Sequence, residues 1–160
     1  MLEGRRVVLV HDWLNGMRGG EKCLEVLCEL FLEAPIYTLI HEEGRLSATI
    51  EAHRIVPSFI QHLPHGISHY RHFLPLFPTA IEQFRFDAYD LIISTSHCVA
   101  KGAKPGPETY HFSYVHAPMR YVWDLFDTYF RRTQTHPGVR IAAELVRPYL
   151  KNWDRRSTSR

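Results

Sequence analysis

Short apolar runs alternate with amphipathic stretches along the chain, and this alternation predicts a parallel α/β sheet. The first run, residues 6–10, has the sequence Arg-Val-Val-Leu-Val and the continuous apolar character of a strand buried on both faces. Four later runs also favour strands: residues 36–40, 53–56, 91–94 and 110–115. Strands separated by helical patterns are typical of a doubly wound, mostly parallel sheet with helices on both faces.

The residues between these runs predict the helices. Residues 21–31 place apolar side chains three and four positions apart, which favours a helix packed on the sheet. Residues 58–86 mix aromatic and basic side chains, and they predict two or more helices broken at Pro64, Pro75 and Pro78. Further helices are expected over residues 120–130 and 137–157 and a loop over residues 101–107, whereas residues 41–52 are noted only as polar.

Composition narrows the classes of protein to consider. The 160 residues fit one domain with a substantial core, and 45% hydrophobic with 22% charged residues argues against disorder. A net charge of +2 gives no indication of nucleic-acid binding. The three cysteines form no Cys-x-x-Cys pair, which favours a reducing cytoplasm and argues against zinc. Because no apolar run suits a signal peptide or a membrane span, we expect a cytoplasmic protein with at most peripheral contact at the inner face of the membrane.

Two basic regions bear on such contact. The first contains His62, His65, His69 and His72, next to Tyr70, Arg71 and Phe73. No carboxylate or cysteine accompanies these histidines, so we expect no metal there. The segment is either an apolar helix with a basic rim that rests on an anionic membrane, or a core-facing helix whose basic side lies in solvent. The second region is the end of the chain, with Lys151, Arg155, Arg156 and Arg160. It favours either an anionic partner surface or a solvated tail.

A glycine-rich loop joins the first strand to the first helix. Gly16, Gly19 and Gly20 give the spacing Gly-x-x-Gly-Gly, which departs from the dinucleotide and Walker patterns. Glycines let a backbone approach a ligand closely, and the helix start that follows attracts anions such as phosphate. The alternative is an ordinary turn, in which Glu21 is favoured only by the helix dipole.

Polar side chains follow three of the predicted strands. They are His11 and Asp12 after the first, Ser94, Thr95, Ser96 and His97 after the fourth, and His116 after the fifth. Ligands of open α/β sheets bind at this carboxyl edge, so we expect these residues to converge. His116 is the strongest candidate for hydrogen bonding or acid–base chemistry, although a strand-end histidine can also serve only to bind a backbone carbonyl. Arg120 suits a phosphate or carboxylate, and equally Asp124 one turn later.

Four separated blocks carry a more specific pattern. In chain order they are Val8-Leu9-Val10-His11-Asp12-Trp13-Leu14 with Gly19-Gly20-Glu21-Lys22, Pro35-Ile36-Tyr37-Thr38-Leu39, Tyr89-Asp90-Leu91-Ile92-Ile93-Ser94-Thr95-Ser96-His97 with Ala100-Lys101-Gly102, and His116-Ala117-Pro118-Met119-Arg120-Tyr121-Val122-Trp123-Asp124. Together they resemble the amino-terminal half of glycosyltransferase family 4 enzymes, from about residue 6 to the end of the chain.

The resemblance implies one half of a GT-B fold, in which two Rossmann-like domains face each other across a cleft. Such enzymes move a sugar, with retention of configuration and no bound metal, from a nucleotide-sugar donor to an acceptor, plausibly a glycan or lipid-linked acceptor in polysaccharide assembly. By this resemblance Gly19 and Gly20 approach the donor diphosphate, and His116 lies beside the transferring sugar. Ser96 and His97 then belong to the cleft wall.

The sequence departs from the family pattern because residues 1–160 correspond to the acceptor-side domain alone. The paired glutamates, arginine and lysine that handle the donor belong to a carboxy-terminal domain that is absent, so we expect an amino-terminal fragment with little turnover of its own. The alternative of another class is a stand-alone module that binds a phosphate or sugar without catalysis. A third reading is a non-functional fragment with an exposed apolar cleft face.

Overall fold

The fold is a five-stranded, all-parallel sheet with helices on both faces, as the sequence predicts. It is seen in a computed structural model that describes residues 4–130 and 137–159. The strands are β1 (Val7–His11), β2 (Ile36–Thr38), β3 (Ile55–Pro57), β4 (Leu91–Ser96) and β5 (Tyr110–Val115). The helices are α1 (Gly19–Leu30), α2 (Ala48–Glu51), α3 (Phe77–Glu82), α4 (Phe126–Tyr129) and α5 (Pro137–Thr158), and 3₁₀ turns cover Phe59–His62, Tyr70–Leu76 and Ala100–Gly102.

In the strand order β3-β2-β1-β4-β5, successive strands are added first on one side of β1 and then on the other, so the order reverses between β1 and β4. On one side of β1, β2 pairs with β1 and β3 pairs with β2. The chain then crosses back, and β4 pairs with the other side of β1. The register aligns His11 of β1 with Thr95 of β4, and Thr95 with Tyr114 of β5. The carboxyl ends of β1 and β4 therefore border the crevice at which open α/β sheets bind ligands.

Two apolar cores lie on the two faces of the sheet, because successive strand residues point to opposite faces. Leu9 of β1 packs with Leu24 of α1 and Ile50 of α2 on one face. On the other face, Val8 packs in a core that includes Ile81 of α3 and Trp153 of α5. Helices on both sides of one parallel sheet make this a Rossmann-like, doubly wound fold.

The first helix begins earlier than the sequence pattern indicates. Gly19 and Gly20 form the first turn of α1 rather than the preceding loop. The Glu21 carboxylate accepts a hydrogen bond from the backbone N–H of Arg18 at 3.0 Å, which satisfies one donor at the helix start. Within the polar residues 41–52, for which no element was predicted, the short helix α2 begins after Ser47, whose hydroxyl accepts from the N–H of Ile50.

The histidine-rich segment forms 3₁₀ turns and faces the core. Pro75 lies inside the second 3₁₀ turn and Pro78 lies in the first turn of α3. Neither proline therefore ends a helix at the position that the sequence predicted. Tyr70 and Phe77 are buried in the core, whereas the segment's histidines are exposed. The burial of these two rings and the exposure of the histidines agree with the core-facing alternative, although as 3₁₀ turns rather than a helix, and contact with an anionic membrane stays a prediction.

Residues 120–130 contain less helix than the sequence predicts, whereas α5 agrees with the helix predicted over residues 137–157. Over residues 120–130 only α4 is an α-helix, and the rest forms turns. Arg147 of α5 donates to the backbone carbonyls of Val122 and Trp123, which fixes those turns against α5. Lys151 and Arg155 lie over the Trp123 ring, so part of the basic end packs against the fold, while Arg160 lies outside the described residues. None of the described helices combines the length and apolar character that crossing a bilayer requires.

Candidate functional site

The residues expected at the carboxyl edge of the sheet come together where the strand order reverses. His11 ends β1, His97 follows β4 and His116 follows β5. The ring centroids of His11 and His97 are 5.9 Å apart, and those of His97 and His116 are also 5.9 Å apart. These three side chains, called the imidazole cluster below, span three neighbouring strand ends.

Asp12 holds the loop that carries His97. Its side chain is fully buried, and its two oxygens accept hydrogen bonds of 2.7–2.9 Å from four consecutive backbone N–H groups. The donors are His97, Cys98, Val99 and Ala100. Because both oxygens are occupied, Asp12 positions the loop that carries His97.

His11 lies beneath the site rather than at its surface. Its ring is fully buried, and Nδ1 shares a 2.6 Å hydrogen bond with the Thr95 hydroxyl. Nε2 lies 3.8 Å from a carboxylate oxygen of Glu21, longer than a hydrogen bond, and has no hydrogen-bond partner among the described residues. His11 therefore supports the cluster with one unsatisfied polar atom.

Gly20 closes the site from the side of α1. A Cβ at this position would lie 3.3 Å from Cε1 of His97 and 3.4 Å from Cε1 of His11. At Gly19 a Cβ would meet nothing within 4 Å. The two glycines thus differ: Gly20 lets α1 approach the imidazoles, and Gly19 leaves the start of the helix open to solvent.

His97 and His116 form the accessible part of the cluster. The His97 side chain is 27% exposed, and its ring meets that of Trp13 edge-on at 4.8 Å. The ring of His116 meets that of Tyr114 in the same way, also at 4.8 Å. Nε2 of His116 is buried and has no hydrogen-bond partner among the described residues. A ligand hydroxyl that reached it would satisfy that nitrogen.

Charge at the site is set by burial and by Glu21. Burial lowers the pKa of His116 below its ordinary value; His97 and His11 lower it further, against the opposing effect of Asp12 and Glu21. His116 is therefore neutral near pH 7, with one nitrogen able to donate and the other to accept. Burial alone would raise the pKa of Glu21, but the interactions with His11 and with backbone N–H groups outweigh it and lower the pKa.

Two other expected site residues are placed differently. Ser96 is fully buried, and its hydroxyl has no partner among the described residues. Arg120 is exposed, and it forms no ion pair with Asp124 within the described part of the chain. Glu21, Trp13 and Tyr114 were not predicted as part of the site. The one signal for Glu21 in the sequence was an acidic residue directly after Gly19 and Gly20 at the predicted helix start, and its burial is seen only in the structure.

The cysteine thiols lie apart from the contacts that the imidazole cluster makes. Among residues 4–130 and 137–159, no group of three or more potential ligands is arranged to hold a metal ion. Cys28 and Cys98 are buried, and burial raises the pKa of the Cys28 thiol to about 12. The third cysteine, Cys23, is exposed on α1. The polar groups that the structure places at the site are imidazoles, carboxylates and backbone N–H groups.

Acidification is expected to weaken the fold and change the cluster. Burial also lowers the pKa of His111, so both His111 and His116 bind a proton less readily when folded than when unfolded. Stability therefore falls as the pH drops below about 6.5, the ordinary histidine value, because the unfolded chain then binds more protons. NMR titration should give midpoints below that value for both rings. Midpoints at or above it would contradict the burial seen here.

The chain matches no protein-family model, no curated protein and no solved structure. A functional assignment for this site therefore depends on its geometry and chemistry, together with the sequence blocks described above.

Proposed function

We propose that the chain is the acceptor-side, Rossmann-like domain of a retaining glycosyltransferase that uses a nucleotide-sugar donor and a glycan or lipid-linked acceptor. The observation that carries this proposal is the imidazole cluster at the reversal of strand order, closed by Gly20 at the start of α1. Open α/β sheets bind nucleotides and sugars at this position. The four sequence blocks resembling family 4 glycosyltransferases supply the reaction class.

The start of α1 suits the donor diphosphate. The first N–H groups of a helix lack internal acceptors, and the space beside Gly19 is open, so a phosphate oxygen can approach the backbone there. Glu21 already places a negative charge at this helix start. The contact made by Gly19 and Gly20 is therefore a weak one that needs cations from elsewhere.

His116 suits the transferring sugar. Its neutral ring carries a buried Nε2 that has no partner among the described residues, and a sugar hydroxyl can complete that hydrogen bond when the side chain turns to expose the nitrogen. His97, partly exposed beside it and held by the Asp12 loop, provides a second polar contact. Tyr114 and Trp13 give these rings fixed edge-on neighbours. The site thus offers a rigid polar wall with aromatic support.

Binding without turnover is expected of this chain alone. Among the described residues, no ion pair or hydrogen bond of the imidazole cluster or of Asp12 involves a lysine or arginine side chain that could neutralise a leaving diphosphate. At the start of α1, the Arg18 guanidinium is engaged within the fold: it lies 3.8 Å from the Glu21 carboxylate and donates to the Asn15 side chain at 3.0 Å. The same observation favours the second candidate function, a module that binds a phosphate or sugar without chemistry. A lipid-linked acceptor would bring the chain to the inner face of the membrane as a peripheral protein.

Calorimetric titration of the chain with UDP-glucose, GDP-mannose and a lipid-linked sugar acceptor tests the proposal. We expect saturable, millimolar-to-micromolar binding of one nucleotide sugar and no release of nucleoside diphosphate over hours. Binding of inorganic diphosphate with the same affinity as the nucleotide sugar would favour the phosphate module. Absence of any binding would contradict both functions.

A further inference from the structure

A buried carboxylate and a buried imidazole lie side by side behind the start of α1. The side chains of Glu21 and His11 are 2% and 0% exposed, and Nε2 of His11 lies 3.8 Å from Oε1 of Glu21. This nitrogen is buried and has no hydrogen-bond partner among the described residues. A Cβ on Gly20 would lie 3.4 Å from Cε1 of His11, the carbon between its two nitrogens, so that edge of the ring borders the first turn of α1.

Both nitrogens of a protonated His11 would have an acceptor. Nδ1 lies 2.6 Å from the Thr95 hydroxyl oxygen, which can accept a hydrogen bond from it. Nε2 could donate to Oε1 of Glu21, and a shift of about 1 Å would shorten the 3.8 Å separation to a charge-assisted hydrogen bond. The other Glu21 oxygen already accepts from the backbone N–H of Arg18. The pair therefore has room for a proton between two groups that are already in place.

The other charged groups of the site do not replace that proton. The Arg18 guanidinium lies 3.8 Å from the same Glu21 oxygen, but its side chain is 59% exposed, so solvent screens its charge. Asp12 adds a negative charge, which its four backbone N–H donors stabilise. His97 and His116 continue the cluster, with 5.9 Å between successive ring centroids. When all the imidazoles are neutral, the site is negative.

An anion at the start of α1 would add to this negative charge. The approach of an anion to an ionised carboxylate costs free energy, and a proton bound beside that carboxylate reduces the cost. We propose that a phosphate-type anion, here the donor diphosphate, binds at the start of α1 together with a proton from solvent, which His11 holds beside Glu21. This inference rests on the proposed function, because that function places the donor diphosphate there.

The protonation states of the neighbouring groups support His11 as the acceptor of the proton. Burial acts to raise the pKa of Glu21, but contacts with His11 and with backbone N–H groups lower it, so Glu21 is ionised at neutral pH. Burial lowers the pKa of His116, which makes that ring a poor acceptor. His97 lies 3.9 Å from an Asp12 oxygen, but backbone donors already occupy that oxygen.

Calorimetric titration at pH 8 in Tris and in HEPES buffer counts the protons that accompany binding. The two buffers lose protons with different enthalpies, so the difference between the binding enthalpies gives the number taken up. With the tighter binder of UDP-glucose and GDP-mannose, we expect uptake of about 0.5 to 1 proton per ligand. Affinity should then rise about threefold to tenfold between pH 8 and pH 7. The diphosphates of these ligands keep the same charge over that range, so the protein binds the proton.

Glu21→Gln removes the negative charge and keeps a hydrogen-bond acceptor. The amide oxygen can still accept from the N–H of Arg18, so the start of α1 should stay intact. We expect proton uptake to fall below about 0.2 per ligand and affinity at pH 8 to rise about fivefold or more. Glu29→Gln is the matched control, because it removes an exposed carboxylate near the other end of α1 and should bind like the wild type.

NMR identifies the ring that binds the proton. Adding the nucleotide sugar at pH 8 should move the Cε1–H signal of His11 toward that of a protonated imidazole, with smaller changes at His97 and His116. Three results would overturn this inference and leave the proposed function standing: binding without proton uptake, a proton on another ring, or equal uptake in Glu21→Gln.

Sulfate separates this inference from the proposed function, because it carries a constant charge between pH 6 and pH 8 and has neither a nucleotide nor a sugar. If neither nucleotide sugar binds, the proposed function fails. Sulfate that shifts the amide signals of Gly19 and Gly20 and protonates His11 would still support this inference. Absence of binding by sulfate and by both nucleotide sugars would overturn the two proposals together.

Discussion

Replacing Asp12 with alanine is expected to lower the free energy of unfolding by about 4 kcal/mol, the largest effect of any single polar substitution in this fold. The carboxylate accepts from four consecutive backbone N–H groups and is fully buried. Removing it leaves those donors unsatisfied in a dry environment, which costs more than the bonds themselves contribute. The His97 loop should also lose its fixed position.

Two variants separate this role from a general effect of charge. Asp12→Asn keeps the shape but presents an amide group to two of the donors, so it should lose about 2 kcal/mol or more. Asp124→Ala removes an exposed carboxylate and should stay within about 0.5 kcal/mol of the wild type. Urea unfolding measures all three. A loss below about 1 kcal/mol for Asp12→Ala would mean that the loop is held by other contacts.

Gly102→Ala is expected to lower the free energy of unfolding by about 2–3 kcal/mol. A Cβ on Gly102 overlaps the indole ring of Trp153, so either the 3₁₀ turn or α5 must shift. Trp153 is nearly fully buried, and its indole N–H donates to Glu82 of α3 at 2.7 Å. Displacing the ring therefore disturbs both packing and a hydrogen bond between two helices.

The contact that Gly102 permits is reinforced by charge. The neighbouring Lys101 pairs with Asp154 of α5 at 2.9 Å, and Asp154 also accepts from the Trp123 indole at 2.8 Å. Gly19→Ala is the matched control, because a Cβ there meets nothing within 4 Å. It should be neutral or slightly stabilising, as alanine is favoured over glycine in a helix. Equal urea midpoints for both variants would show that α5 does not pack as tightly as its contacts indicate.

All five strands could be predicted from short runs rich in apolar residues, but not all their ends: β2 ends at Thr38 rather than at residue 40, and β3 covers Ile55–Pro57 rather than residues 53–56. The β5 prediction coincides with the observed strand, and β4 extends two residues further to Ser96. The segment Tyr70–Leu76 could not be predicted as a 3₁₀ turn, because its geometry follows from packing Tyr70 into the core. Helix periodicity carries no information on such tertiary contacts.

The candidate site could be predicted in position but not in the division of roles. The sequence places polar residues after β1, β4 and β5, and the rule for parallel sheets brings them together. The hydrogen bonds that Asp12 accepts from the backbone of residues 97–100 join positions more than 80 residues apart, so no local sequence pattern indicates them. The position of His11 could not be predicted either. It is buried beside Thr95 because of the register between β1 and β4, and it lies close to Glu21 because of where α1 begins.

The most direct measurement of the proposed function is an NMR titration of the chain with the nucleotide sugar that binds best by calorimetry, repeated with His116→Ala. Binding should shift the ring signals of His97 and His116 and the amide signals of Gly19 and Gly20. The His116→Ala variant should bind the nucleotide sugar at least tenfold more weakly, and the rest of its spectrum should remain that of the folded protein. Unchanged affinity in His116→Ala, or shifts confined to residues distant from the imidazole cluster, would contradict a sugar-nucleotide site at the reversal of strand order.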